Sequence, residues 1–155
     1  MRFLIDSTIL IAAAIVETDF HEPAHTLVTT VLAEDDPWCL AWVNIYEFMR
    51  VTTHHKIFPR PLTFQQAFDQ MRVLLDHPAC EILSETPRHA SMLHRVAAQV
   101  RPVAGNFVHD CHIAALLFEH DVHAIVIYDS HFRRFGPDIE VWSPEEALAK
   151  LGERS

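Results

Sequence analysis

Four carboxylates stand where an acid needs a reason to be. Asp6 closes the apolar run 3–5, and Asp129 closes the apolar run 124–128. A carboxylate directly after a buried strand either caps the next helix or reaches a site at the strand's end. Ser7, Thr8 and Ser130 could share the capping job. Asp110 lies in a run of helical periodicity, with Ile113, Ala114 and Leu117 at i+3, i+4 and i+7. That apolar stripe puts the acid on or beside the face turned to the core. Such a carboxylate is costly unless it is paired, favoured by a helix dipole or bound to a cation. Glu47 follows Asn44 by three residues, the spacing of a capping box; its neighbours Arg50 and Val51 do not decide between cap and site. Two of the four come from strand ends and two from first turns of helices. In a parallel α/β sheet all four positions fall at one end. Carboxylates converging there repel one another unless cations join them. Oxygen-only ligation suits Mg²⁺ or Mn²⁺ rather than Zn²⁺. One or two such ions between acids is an arrangement for in-line phosphodiester cleavage.

The elements that must position these acids follow from the hydrophobic pattern. Strands are predicted at 2–6, 38–42, 80–83, 124–128 and 139–142, and helices at 8–16, 23–34, 44–53, 63–76, 87–100 and 106–120. Thr63 with Gln66 fits a capping box, Thr86 precedes Pro87 as a cap, and Asn106 caps the helix bearing Asp110. Ser143-Pro-Glu-Glu caps a last helix. Strands alternating with helices imply an α/β chain, a three-layer α/β/α sandwich around a central parallel sheet. No repeat or linker divides residues 1–155, so one domain is expected.

Composition sets the bounds. The chain has 155 residues, 50% hydrophobic and 21% charged, which marks a folded protein and excludes a disordered tail. Only 3 residues are Gly, against a Gly-rich phosphate loop. The formal charge of -9 excludes a simple basic surface for nucleic acid, though not a local basic path beside an acidic site. If four acids share one metal site, bound divalent cations offset part of that acidity, so the charge does not exclude metal-dependent phosphodiester chemistry with Arg-led local contacts. Cys39, Cys80 and Cys111 are widely spaced with no C-x-x-C, so they read as half-buried thiols of a reducing cytosol. Asp6 interrupts the apolar N-terminal stretch, and no segment approaches the ~18 apolar residues of a membrane span. A cytoplasmic protein is expected.

The motifs around the acids resemble a known family. LIDSTIL at Asp6 and Thr8 resembles the opening strand of PIN-domain ribonucleases, and NIYEFMRV at Glu47 resembles their second acidic motif. GNFVHDCHIAALLFEH at Asp110 and IVIYDSHFRRF at Asp129 resemble the third and fourth, VapC toxins of toxin–antitoxin systems in particular. The resemblance spans about residues 2–142 and is most specific over 106–135. It implies hydrolysis of single-stranded or looped RNA with Mg²⁺ or Mn²⁺. It implies Asp6, Glu47, Asp110 and Asp129 as the acidic quartet, metal ligation by Asp6, Asp110 and Asp129 with Glu47 as a further candidate, and Thr8 as the hydroxyl supporting Asp6. It also implies a homodimer held inactive by a cognate antitoxin lying across the active-site groove. Two positions depart from the fourth motif: Ile127 replaces a hydroxyl residue and His131 replaces a second acid. This leaves open whether Asp129 binds metal directly or supports a residue that does.

Rival readings start from other residues. His21-Glu-Pro-Ala-His25 spells the zinc-protease motif, but Pro23 belongs in a first turn, which leaves His21 outside the helix and off the shared face. His109-Asp110 is similar to the pair used by HD phosphohydrolases, an all-helical fold that the run 124–128 opposes. The altered fourth motif also allows a catalytically weakened PIN-fold interaction protein acting through a partner. Arg outnumbers Lys ten to two, and Arg133 and Arg134 follow Asp129 closely enough to be candidates for RNA phosphate contacts. Arg50, Lys56 and Arg60 form a second candidate cluster. His109, His112 and His131 lie near the acids in sequence.

Overall fold

A computed structural model describes residues 2–154. In chain order the elements are β1 (Leu4–Ile5), α1 (Ser7–Ala14), α2 (His21–Ala33), β2 (Trp38–Ala41), α3 (Trp42–Thr52), α4 (Phe64–Leu75), β3 (Cys80–Leu83), α5 (His89–Gln99), α6 (Phe107–Glu119), β4 (Ala124–Val126), a 3₁₀ helix (Ser130–Phe135), β5 (Glu140–Trp142) and α7 (Pro144–Gly152). The strands form one sheet in the order β3-β2-β1-β4-β5. Every neighbouring pair is parallel, with Leu4 opposite both Cys39 and Ile125.

The strands are apolar throughout because both faces of the sheet are covered. Their period of two divides them between two cores. Phe3, Ile5, Trp38, Leu40 and Val126 face α1, α2, α3, α4 and α7, packing with Ile9, Leu27, Phe48, Met71 and Ala147. Leu4, Cys39, Ala41, Ile125 and Ile127 face α5, α6 and the 3₁₀ helix, packing with Val96, Leu117 and Phe132. This is the expected three-layer sandwich, and its parallel sheet removes the all-helical alternative.

The connections set where a ligand can bind. From β1 the chain leaves on the face of α1, whereas from β4 it enters the 3₁₀ helix on the other face. The crevice at such a reversal, outside the carboxyl ends of the strands, is the usual ligand position in an open α/β sheet. Asp6 follows β1 and Asp129 follows β4, so both stand at its mouth.

Most helix starts fall near their expected places, and three differ. The capping boxes of Thr63 with Gln66 and of Ser143 with Glu146 are both formed. Asn106 holds the N-cap position of α6 without a side-chain cap bond. Thr86 is not the N-cap of α5, which begins at His89 behind Arg88; its hydroxyl donates to the buried Glu119 carboxylate at 2.7 Å and accepts from the Arg88 amide at 3.2 Å. Helix α3 begins at Trp42, so Asn44 lies inside it and makes no capping box with Glu47. The cysteines are unpaired; Cys39 and Cys111 are buried and Cys80 is half-buried. Burial pushes the Cys39 and Cys80 thiols up to about 12, which keeps them protonated. No helix among the described residues is long and apolar enough to cross a membrane.

Candidate active site

Asp6 does two jobs at once. It is the N-cap of α1, and its Oδ2 accepts from the Thr8 amide at 2.9 Å and the Thr8 hydroxyl at 2.8 Å. The Asp6 amide donates to the Val126 carbonyl at 3.0 Å, which anchors the residue in the sheet. The Thr8 hydroxyl also accepts from the Tyr128 amide at 3.2 Å, so one side chain ties the ends of β1 and β4 together. Oδ1 of Asp6 accepts from the Asn44 side-chain amide at 3.0 Å. The carboxylate is 4% exposed. Burial pushes its pKa up, the Thr8 and Ser7 hydrogen bonds pull it down, and the Asp129 charge pushes it up; the net direction is upward.

Asp110 sits in the first turn of α6 and is half-buried. Its carboxyl is pushed up to about 6, first by burial and then by the charges of Asp129 and Asp6, against a pull from His131 and His109. Asp129 is the N-cap of the 3₁₀ helix, accepting from the His131 amide at 2.9 Å. Glu47 lies one turn into α3 and is paired with Arg50 at 2.7 Å. All four acids, with Thr8, Asn44, Arg50 and His109, line one cleft of about 340 Å³.

Sequence reasoning took Asn44 for a cap and missed it as a buried partner of Asp6. The signal was its position just past the end of an apolar strand, where Asp6 and Asp129 also stand. The arginines are placed differently from expectation. Arg134 donates to the Val100 carbonyl, and its guanidinium lies 4.2 Å from the centre of the Phe107 ring. Arg133 lines a separate hollow beside β5, with Gly136 and Trp142. Neither lines the acidic cleft; Arg50 does, bound to Glu47. The zinc-protease reading also needs a correction. Helix α2 begins at His21, so the rings of His21 and His25 do neighbour one another one turn apart, tilted, with 5.3 Å between centres. The motif still gathers no third ligand among the described residues, and His21 Nδ1 lies 2.8 Å from the Ala12 carbonyl.

The donor set fits a hard divalent cation. The ion pairs of the described residues give Asp6, Asp110 and Asp129 no Lys or Arg partner. Three acids therefore face one another with His131 and His109 beside them and Arg50 held by Glu47, and their oxygens are the ligands Mg²⁺ and Mn²⁺ take.

The PIN domain family matches residues 3–136 of this sequence. This chain belongs to the PIN domain family. Ribonuclease VapC37 of Mycobacterium tuberculosis is 36% identical over 132 residues, covering 85% of this chain and 90% of that protein. The PIN fold of this chain also matches solved VapC structures at low identity. VapC20 of Mycobacterium tuberculosis, a Sarcin-Ricin loop cleaving toxin, superposes with a TM-score of 0.64 at 11% identity, covering 86% of this chain and 95% of that one. VapBC2 of Rickettsia felis, bound to a DNA fragment from its promoter, superposes with a TM-score of 0.62 at 14% identity, covering 92% and 98%.

Proposed function

We propose that this PIN-domain chain is a Mg²⁺- or Mn²⁺-dependent endoribonuclease that hydrolyses RNA phosphodiester bonds as the toxin of a VapBC-type toxin–antitoxin system. The observation that carries the reading is the meeting of Asp6, Glu47, Asp110 and Asp129 at one cleft at the topological reversal of the sheet. The ribonuclease name of the 36%-identical relative supports RNA as the substrate, and the VapBC complex among the structural neighbours supports an antitoxin partner. The reading takes residues 1–155 as one domain, working in the cytoplasm as a homodimer until an antitoxin covers the cleft.

A divalent ion bound there would supply an activated water and offset charge on the leaving oxygen. Asp6, Asp110 and Asp129 would hold it, with Glu47 as a further ligand once freed from Arg50. Thr8 and Asn44 fix the Asp6 carboxylate by three hydrogen bonds, so it cannot rotate away from the cleft. Asp110, with a carboxyl near 6, is ionised at neutral pH but loses its charge in mild acid. Arg50, at the rim, is the cation placed to meet a phosphate if Glu47 releases it.

The test is RNA cleavage by the wild type, Asp6→Asn and Asp110→Asn in Mn²⁺. Cleavage should fall by roughly a hundredfold or more in both variants. Equal cleavage by all three proteins would overturn the acidic site. No cleavage and no Mn²⁺ binding by the wild type would favour an interaction protein that keeps the fold.

A further inference from the structure

A second cluster of ligand-type side chains lies outside the acidic cleft. Glu85, in the loop after β3, His89, at the start of α5, and His112, on α6, bring their ligand atoms within 4.8 Å of one another. His112 Nε2 is 2.7 Å from Glu85 Oε1. The rings of His89 and His112 meet edge to face, 5.3 Å between centres. We propose that Glu85, His89 and His112 form a second metal site, one for a borderline transition ion such as Zn²⁺, on the side of α6 turned away from the acidic cleft.

Helical geometry explains why one helix can serve two sites. His112 follows Asp110 by two residues, about 200° around the helix, so the two project to opposite sides. Asp110 lines the acidic cleft, and His112 reaches α5 and the loop after β3. The donors also differ in kind. Two imidazoles and one carboxylate suit Zn²⁺ with an open fourth position, whereas the all-oxygen cleft suits Mg²⁺ or Mn²⁺.

A buried acid supplies an independent sign of a built site. The Glu119 side chain is fully buried, and one of its oxygens lies 2.6 Å from His89 Nδ1. Its other oxygen accepts from the Thr86 amide at 3.0 Å and the Thr86 hydroxyl at 2.7 Å. A carboxylate there fixes His89 with Nδ1 as the protonated nitrogen, leaving Nε2 as a free donor atom. A carboxylate behind the far nitrogen is the common support of a metal-bound imidazole. One cation placed among Glu85, His89 and His112 would engage all three ligand atoms at once. Ligand atoms around tetrahedral Zn²⁺ stand about 3.3 Å apart, so small side-chain rotations close the site.

Binding would join three separate segments: the loop after β3, α5 and α6. The experiment is a Zn²⁺ titration of the untagged full chain by calorimetry in excess Mg²⁺, repeated with Co²⁺ to read the intense visible bands of tetrahedral coordination. The wild type and Asp110→Asn should each bind one Zn²⁺ per chain. His112→Asn should abolish binding, and Glu85→Gln should weaken it by about tenfold to a hundredfold. Both substitutions are at solvent-accessible side chains, so folding should be kept, and far-ultraviolet circular dichroism checks this. Unchanged Zn²⁺ binding in His112→Asn, loss of binding in Asp110→Asn, or displacement of Zn²⁺ by Mg²⁺ would overturn the proposal. The readout is metal binding alone, so it stands or falls independently of RNA cleavage.

Discussion

Asp6 and Asp110 share a cleft and differ in what they do for the fold. Asp6 accepts three hydrogen bonds and caps α1, so removing its charge also removes acceptor capacity that Thr8 and Asn44 need. Asp110 is held at about 6 by burial and by the charges of Asp129 and Asp6. Its unfolded value is near 3.9. Between these values the folded chain holds a proton that the unfolded chain has lost. Stability from this group therefore falls as pH rises from about 4 through about 6, then levels. Asp110→Asn should accordingly raise the melting temperature of the metal-free protein above pH 7, and Asp6→Asn should lower it. Thermal melts in a chelator at pH 4.5 and 7.5 check both: the gain from Asp110→Asn should shrink at pH 4.5. Metal requires the ionised form, so Mn²⁺ affinity should weaken by up to about tenfold per pH unit below 6. Titration of Mn²⁺ at pH 5 and 7 measures that, and equal affinity at the two would show that Asp110 is not a ligand.

Element boundaries were legible where a side chain's partner lies on its own helix and obscure where it lies elsewhere. Thr63 with Gln66, and Ser143 with Glu146, cap their own helices, and three-residue spacing reveals both. Thr63→Ala and Ser143→Ala should each cost about 1 kcal/mol in urea unfolding, with RNA cleavage unchanged because neither residue lines the cleft. Asn106→Ala should cost much less, since Asn106 makes no cap bond. Thr86 and Asn44 had the look of caps, but their partners are Glu119, 33 residues away, and Asp6, 38 residues away. No local pattern encodes such pairings. The same limit applies to the arginines. Arg134 follows the fourth acidic motif in sequence, yet its guanidinium packs on Phe107 and reaches the Val100 carbonyl at the end of α5. Asp6, Asp110 and Asp129 were legible because each ends an apolar strand or opens a helix, and a parallel sheet sends those positions to one end; Glu47, a turn inside α3, reaches the same cleft from deeper in its helix.

At the scale of the whole molecule, a formal charge of -9 must coexist with the approach of a polyanion. The cleft sharpens this problem: four of its lining residues are acids, and its arginine, Arg50, is already paired with Glu47. Without metal the cleft repels a phosphate, and the rest of the surface offers no net attraction to compensate. RNA affinity should therefore be set by what neutralises the cleft. In a chelator at pH 7.5, Asp110 is ionised in the wild type and the charge is absent in Asp110→Asn, so the variant should bind labelled single-stranded RNA severalfold more tightly although its cleavage should be lost. At pH 5 the wild-type carboxyl is largely protonated, because its pKa lies near 6, and the difference between the two proteins should collapse. Fluorescence anisotropy at the two pH values, at one fixed low ionic strength, measures both terms. If the wild type binds RNA in chelator at pH 7.5 as tightly as the variant, the RNA path avoids the cleft, and the repulsion among these acids is no barrier to substrate.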